Sequence, residues 1–451
     1  MNLHRLLSAR AGKPVRVGVV GCGKFATMFL AQARRIPGLH IAGIADIAPG
    51  KAADQLARCA WDEAQYGARS LGEAIDTGAT HLTDDAAALI AHPAVEVIAE
   101  CTGDPIAATG HALGAFKHGK HVVMVTVEAD ALAGPLLARK AKEAGVLYSL
   151  GYGDQPALIC DLVDWARTCG FEVVAAGRGH KWLPHYYKAT PDTVWNDWGL
   201  SEAEAAAGGL NPRMFTCFLD GSKPAIETTA VANTTGLGAP AAGLAFHPCA
   251  IDDLPHVMRP KSEGGMLERK GLVECVSSIE RDGRPIEHHI RWGVWVVMEA
   301  GNDYVQRCFK EYAMTTDASG RYGVMYKWWH LIGLELGVSI AAVAVRGEPT
   351  GCPIAWNADA VAAAKRDLKA GELLDGEGGW TVAGKLMPAA DSLARGAVPI
   401  GLAHKIKLVR AVQEGQTVTW ADVAADETVE AYKVRREMER VFAPKLAKAA
   451  E

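Results

Sequence analysis

The sequence contains no CxxC pair among its ten cysteines. They are scattered singly, a usage that fits reduced thiols rather than a disulfide framework, so the expected location is the cytoplasm. There is no block of basic residues, and the formal net charge is -5. Nucleic acid and anionic membrane are therefore not expected partners. No apolar run reaches the length of a membrane span. The first residues, MNLHRLLSARAGKPVRVG, hold no continuous apolar signal core, so export is not expected. Neither HExxH nor a Cys/His array marks a metal centre. What is present is an ordinary globular balance, 49% hydrophobic and 22% charged, over 451 residues. That length is too great for one core and predicts two or three domains.

The first third alternates apolar strands with amphipathic helices. VRVGVV, LHIAGIAD, VEVIAECTG, HVVMVTVEAD and VLYSLGYGD read as strands, and FATMFLAQARRI, ALGAFKHGK and LLARKAKEAG as helices. This order predicts an α/β, Rossmann-type doubly wound parallel sheet over residues 1–153, with a strand and helix return near 330–350. Residues 51 to about 90 read as a helical insertion. Residues 154–350 read as an α+β substrate and dimerisation domain. Within it, segments such as HHIRWGVWVVME suit an antiparallel sheet with one wet face, and WWHLIGLELGVSIAAVAVRG reads as a helix. Residues 351–451 read as a small β module with a terminal helix. In that module LKAGELLD and VQEGQTVTWADV echo each other.

GCGKFA follows the first strand and opens the first amphipathic helix. Gly21 allows a tight turn, Gly23 lets a pyrophosphate approach the backbone, and Ala26 takes the third small position. The first amides of the helix, from Lys24 and Phe25, would face the phosphates. About twenty residues on, the second strand ends in Asp46, where an acid binds a ribose diol and repels a 2′-phosphate. NAD(H) is thus favoured over NADP(H). The competing reading makes Asp46 a helix cap. Small residues at Cys101, Thr102 and Gly103 would let a nicotinamide lie against the backbone. Thr126, Glu128, Asp130 and Asp154 stand at the ends of later strands, and Asp130 also suits a helix cap.

In the second domain, Lys223 and Glu227 are i, i+4 neighbours. They form either a surface ion pair or a lysine poised to hold a substrate oxygen and relay a proton. Lys181 lies in the aromatic loop GRGHKWLPHYYK, which reads equally as a substrate loop or an interface. His330 is either a core histidine or part of a pocket. Glu128, Asp154 and Glu227 are the candidate ligands of a divalent ion such as Mg²⁺ or Mn²⁺, because oxygen donors suit such ions.

Together, GCGKFA, GKHVVMVTVEADALAGP, YSLGYGDQP, DGSKPAIETTAVANTTGL, EGGML, WWHLIGLE and AKRDLKAGELLD give the chain a resemblance over nearly its full length. It resembles the homoserine-dehydrogenase-like NAD(P)-dependent oxidoreductases with a C-terminal SAF (β-clip) domain. Within them it is most similar to the second-type 1-deoxy-D-xylulose 5-phosphate reductoisomerase-like branch. The resemblance implies hydride transfer between a nicotinamide and a small polar hydroxy or oxo substrate. Lys223 in DGSK would act at the substrate, in a homodimer or tetramer. In the reductoisomerase branch it implies a metal-dependent reaction on a phosphosugar. Glu128 stands where the dehydrogenases carry Asn, which argues against homoserine itself as substrate. A chain that only senses or assembles around a dinucleotide is the reading of another class.

Overall fold

A computed structural model of the chain describes residues 2–450. It forms two compact units, one of residues 1–158 with 331–353 and one of residues 159–330 with 354–451. Residues 354–451 therefore share a unit with 159–330 rather than standing as a third body.

The first unit is built on six strands: β1 (Val15–Val20), β2 (Leu39–Ala45), β3 (His81–Thr83), β4 (Val97–Glu100), β5 (His121–Met124) and β6 (Tyr148–Leu150). All pair in parallel in the order β3-β2-β1-β4-β5-β6. This is the doubly wound order, whose direction reverses between β1 and β4. Strands β1, β4 and β5 are almost wholly buried, which explains their unbroken apolar runs. The segment read as a helical insertion is the crossover from β2 to β3. It holds the helices Pro49–Arg58, Glu63–Tyr66 and Leu71–Thr77, then a three-residue, half-buried edge strand too short to show a period. The chain re-enters this unit at residue 331, where Leu336, Ile340 and Val343 join the core of Val17, Val19, Phe29 and Leu30.

The segment from Trp328 is not one helix. Trp328 and Trp329 are exposed, and helix begins only at Gly337–Ala341, passing into a π-helical turn at Ala342–Arg346. Gly333 explains the break. Its φ is +73°, and a Cβ there would sit 2.4 Å from the carbonyl oxygen of Phe25.

The second unit has a five-stranded sheet of β7 (Glu172–His180), β8 (His247–Pro248), β9 (Leu272–Ser277), β10 (Val294–Glu299) and β11 (Tyr322–Lys327), in the order β11-β10-β7-β9-β8. The sheet is mixed. β10 runs antiparallel to β7 and β11, whereas β9 runs parallel to β7 and β8. The expected wet face is absent from its centre, since every residue of β9 and β10 is buried. The helix Ser222–Thr235 packs against β7 and β9 and against the antiparallel pair of β12 (Ala358–Ala364) and β13 (Val382–Pro388). The two echoing segments meet: Leu368 and Val412 exchange both backbone hydrogen bonds, at 2.8 and 3.0 Å. The helix Glu430–Ala450 is tied to β12 by Arg435. This fully buried guanidinium donates to both oxygens of Asp359, at 3.0 and 2.5 Å, and to Glu439 at 2.9 Å.

Candidate dinucleotide and substrate site

In the first unit the sheet brings the sequence candidates to one edge. Gly21, Asp46, Cys101–Gly103, Thr126 and Asp154 each stand just beyond the carboxyl end of a strand, at the edge where open α/β sheets bind ligands.

The two glycines of the turn differ in kind. Gly21 has φ +88°, and a Cβ there would lie 2.8 Å from the backbone of Cys101 and Thr102, so the fold itself requires this glycine. Gly23 has φ -78°, and no atom lies within 4 Å of where its Cβ would be. Nothing in the protein requires a bare backbone at Gly23. It is the N-cap of the helix Lys24–Ala33 and offers no side chain to the first amides, whereas Ser70, Asp85 and Asp104 cap their helices. An exposed, uncapped helix start beside an open glycine fits a diphosphate. Lys24 is exposed there and Phe25 half-buried. Asp46 closes the turn from the next strand. Its Oδ2 accepts the amide of Cys22 at 2.7 Å, and its Oδ1 accepts that of Ala48 at 2.9 Å.

The thiols nearby are held in their protonated form by burial. Burial pushes Cys22 up to about 12 and Cys101 well above its ordinary range. Glu128 is half-buried in the first turn of the helix Val127–Glu143. Asp130 is not the cap of that helix. It lies fully buried inside it and accepts the Tyr148 hydroxyl at 2.9 Å. Asp154 is buried, and its Oδ1 accepts the amide of Gln155 at 3.0 Å where the helix Gln155–Thr168 begins.

Glu100, inside the motif AECTG, is a further strand-end acid at this edge. Its carboxylate is fully buried and is met by Thr102, His111 and Thr126. An acid closing an apolar strand is its signal in the sequence.

In the second unit the candidates separate. Lys223 is half-exposed near the start of the helix Ser222–Thr235, in which Thr234 is the other residue that is not buried. Glu227 is not its surface partner. Glu227 is buried and ion-paired with Arg178 on β7, so its carboxylate is committed to holding the helix on the sheet. Lys181 Nζ donates to the carbonyls of Asp197 and Trp198, at 2.7 and 3.4 Å, and closes the C-terminus of the helix Val194–Trp198. Burial lowers its pKa, and Arg291 adds to that. The Nδ1 of His330 meets the carbonyl of Trp292 at 2.6 Å, and the residue sits in an irregular segment rather than on an apolar helix.

Asp220, beside Lys223, is buried and ion-paired with Lys365 at 2.7 Å. Its Oδ1 accepts the amide of Ser222 at 2.8 Å. Among the described residues no three acidic, histidine or cysteine side chains form a metal-binding group, and Glu227 is engaged by Arg178.

A doubly wound sheet with an open glycine turn and an acid after β2 defines a dinucleotide-binding protein. Comparison with known proteins agrees. Residues 17–149 match the homoserine dehydrogenase NAD binding domain, and residues 153–336 match the oxidoreductase DRL catalytic domain. The two matched stretches follow one another along the chain, the first similar to an NAD binding domain and the second to an oxidoreductase catalytic domain. A homoserine dehydrogenase of Pseudomonas aeruginosa is 30% identical over 138 residues, 30% of this chain and 28% of that protein. Among solved structures, a homoserine dehydrogenase from Thiobacillus denitrificans shares 20% identity over 50% of each chain, with a TM-score of 0.36. A myo-inositol dehydrogenase from Lactobacillus casei, solved with NAD(H) and myo-inositol, shares 13% identity over 41% of this chain and 50% of its own, with a TM-score of 0.27. The chain therefore spans about a quarter to half the length of these relatives.

Among the described residues no helix is long and apolar enough to cross a membrane.

Proposed function

We propose that this protein is an NAD(H)-dependent dehydrogenase or reductase acting on a small polar hydroxy or oxo compound of the sugar, polyol or hydroxy-acid type. The observation that carries the cofactor half of this reading is Gly23, a glycine with ordinary φ facing open space at an uncapped helix start. The preference for NAD(H) rests on Asp46, whose charge opposes a 2′-phosphate. When bound, the nicotinamide exchanges a hydride with the substrate carbon.

Lys223 carries the substrate half. A cation in the first turn of a helix is opposed by the helix dipole. An ammonium group there can donate to a substrate oxygen, polarise it in the reducing direction and take up its proton in the oxidising one. Gly221, at φ +89°, and the Asp220–Lys365 pair set the start of that helix.

Thermal-shift titration tests the reading, first with NAD(H) against NADP(H), then with hydroxy acids, polyols and phosphosugars in the presence of the preferred coenzyme. A ligand that binds only the native state raises its melting temperature by mass action. A larger shift with NAD(H) is expected. A protein that shifts with neither coenzyme refutes the proposal.

A further inference from the structure

The carboxylate of Glu100 is buried at the end of β4, one residue before Cys101–Gly103. Such a group is costly unless its lone pairs are met. Here Thr102 Oγ1 donates to Oε1 at 2.7 Å, His111 Nδ1 meets the same oxygen at 3.1 Å, and Thr126 Oγ1 donates to Oε2. The main-chain carbonyl of Glu100 also accepts the amides of Val125 and Thr126, at 2.9 and 3.2 Å. One residue thus ties the end of β4 to the end of β5.

The consequence lies in the hydroxyls. A threonine hydroxyl has a single hydrogen, and both Thr102 and Thr126 give theirs to Glu100. On their other sides the oxygens are acceptors only. Thr126 takes the amide of Gly103 at 2.9 Å, and Thr102 takes that of Asp104 at 3.2 Å. Thr102 stays half-exposed, and Gly103, at φ +72°, faces open space. The strand ends therefore form a shelf on which half-exposed Thr102 offers a lone pair above the buried carboxylate, while Thr126, itself buried, holds the Gly103 amide in place.

We propose that Glu100, acting through Thr102 and Thr126, makes this shelf select a neutral, hydrogen-donating carboxamide on the pyridine ring of the coenzyme and reject an anionic carboxylate. The proposal rests on the reading that a nicotinamide dinucleotide lies along these strand ends. A carboxamide NH₂ can donate to a threonine oxygen. A ring carboxylate cannot, and it is repelled by Glu100 through a medium of low dielectric. Glu100 is thus a positioning residue that sets coenzyme specificity without touching the coenzyme.

Calorimetric titration of the full chain with three probes tests this. The probes are NAD, nicotinic acid adenine dinucleotide, which carries a ring carboxylate, and ADP-ribose, which has no ring. The unaltered protein should bind NAD about tenfold or more tighter than the ring acid. In Glu100→Gln the side-chain amide must itself donate, which frees a threonine hydrogen. The NAD to ring-acid ratio should then fall to within about threefold, with the affinity for ADP-ribose unchanged. Thr102→Val, at a half-exposed position, should lower the same ratio and keeps the test alive should Glu100→Gln fail to fold. A ratio unchanged in these variants overturns the proposal. So does an equal loss of affinity for all three probes, which is what a purely structural role would give. If the unaltered protein binds ADP-ribose yet does not distinguish NAD from the ring acid, this proposal alone falls. Failure to bind any of the three overturns the coenzyme reading beneath it.

Discussion

The carboxylate of Asp46 accepts the backbone amide of Cys22 at 2.7 Å, so the end of β2 holds the glycine turn that follows β1. Each Asp46 oxygen accepts one amide and keeps a second lone pair for a ribose hydroxyl. Asp46→Asn keeps the shape and removes the charge. It is expected to weaken NAD(H) binding by about tenfold, the scale of one charge-assisted hydrogen bond, and to narrow the preference over NADP(H). Fluorescence titration with NADH and NADPH reads both quantities. A preference for NADP(H) in the unaltered chain would remove the charge argument.

Lys223→Met keeps the length of the side chain and deletes its donors. The coenzyme thermal shift should persist while turnover falls about 10²- to 10⁴-fold, the usual contribution of a positioned acid or base. Unchanged turnover would take Lys223 out of the mechanism.

The legible parts of this protein are those in which neighbours in sequence are neighbours in space. The turn at Gly21 and Gly23, the acid at Asp46 and the strand-end residues from Cys101 to Asp154 all follow from one repeating strand–helix unit. The illegible parts are non-local. The i, i+4 spacing of Lys223 and Glu227 suggests a pair, but Glu227 lies on a buried face of the helix, where Arg178 on β7 takes it. The return of residues 331–353 could be placed only coarsely, and its break at Gly333 depends on the carbonyl of Phe25, some three hundred residues earlier. Strand β3 escaped notice because three half-buried residues carry no period.

Lys365 shows what such a long-range contact contributes. Its ammonium is ion-paired with Asp220 Oδ2 at 2.7 Å and donates to the carbonyls of Ala189 at 2.7 Å and Gly379 at 2.8 Å. Lys365→Met strands a buried carboxylate, at an expected cost of about 3–5 kcal/mol in urea unfolding. Asp220→Asn added to Lys365→Met should recover more than half of that, since no charge is then left unpaired. A single variant as stable as the parent would show that the pair contributes nothing.

Asp130 gives the first unit a pH dependence of definite sign. Burial raises its carboxyl from 3.8 to about 7, with the Tyr148 hydroxyl acting in the opposite direction, and its Oδ1 lacks a hydrogen-bond partner. Between those two values the native protein holds a proton that the unfolded chain has released. The contribution is therefore complete at the acid end of the window and is lost as pH rises through it, by on the order of 4 kcal/mol. Denaturant midpoints measured across the window should show this fall, and Asp130→Asn should flatten it. An equal slope in both proteins would assign the effect to other groups.

Gly21 and Gly23 separate the demands of the fold from those of the ligand, because each answers to only one of them. Gly21→Ala must place a side chain at φ +88° and 2.8 Å from the Cys101 backbone. Left-handed strain alone costs about 1–2 kcal/mol, and the contact adds to it, so this variant should lose stability and coenzyme binding together. Gly23→Ser meets open space at ordinary φ and supplies the cap the helix lacks, so stability should hold or rise by a few tenths of a kcal/mol. Its hydroxymethyl group would occupy the place proposed for the diphosphate. Affinity for NADH should therefore fall about tenfold or more in a protein that unfolds no earlier than the parent. Parental NADH affinity in a stable Gly23→Ser variant would mean that the diphosphate does not lie against this turn.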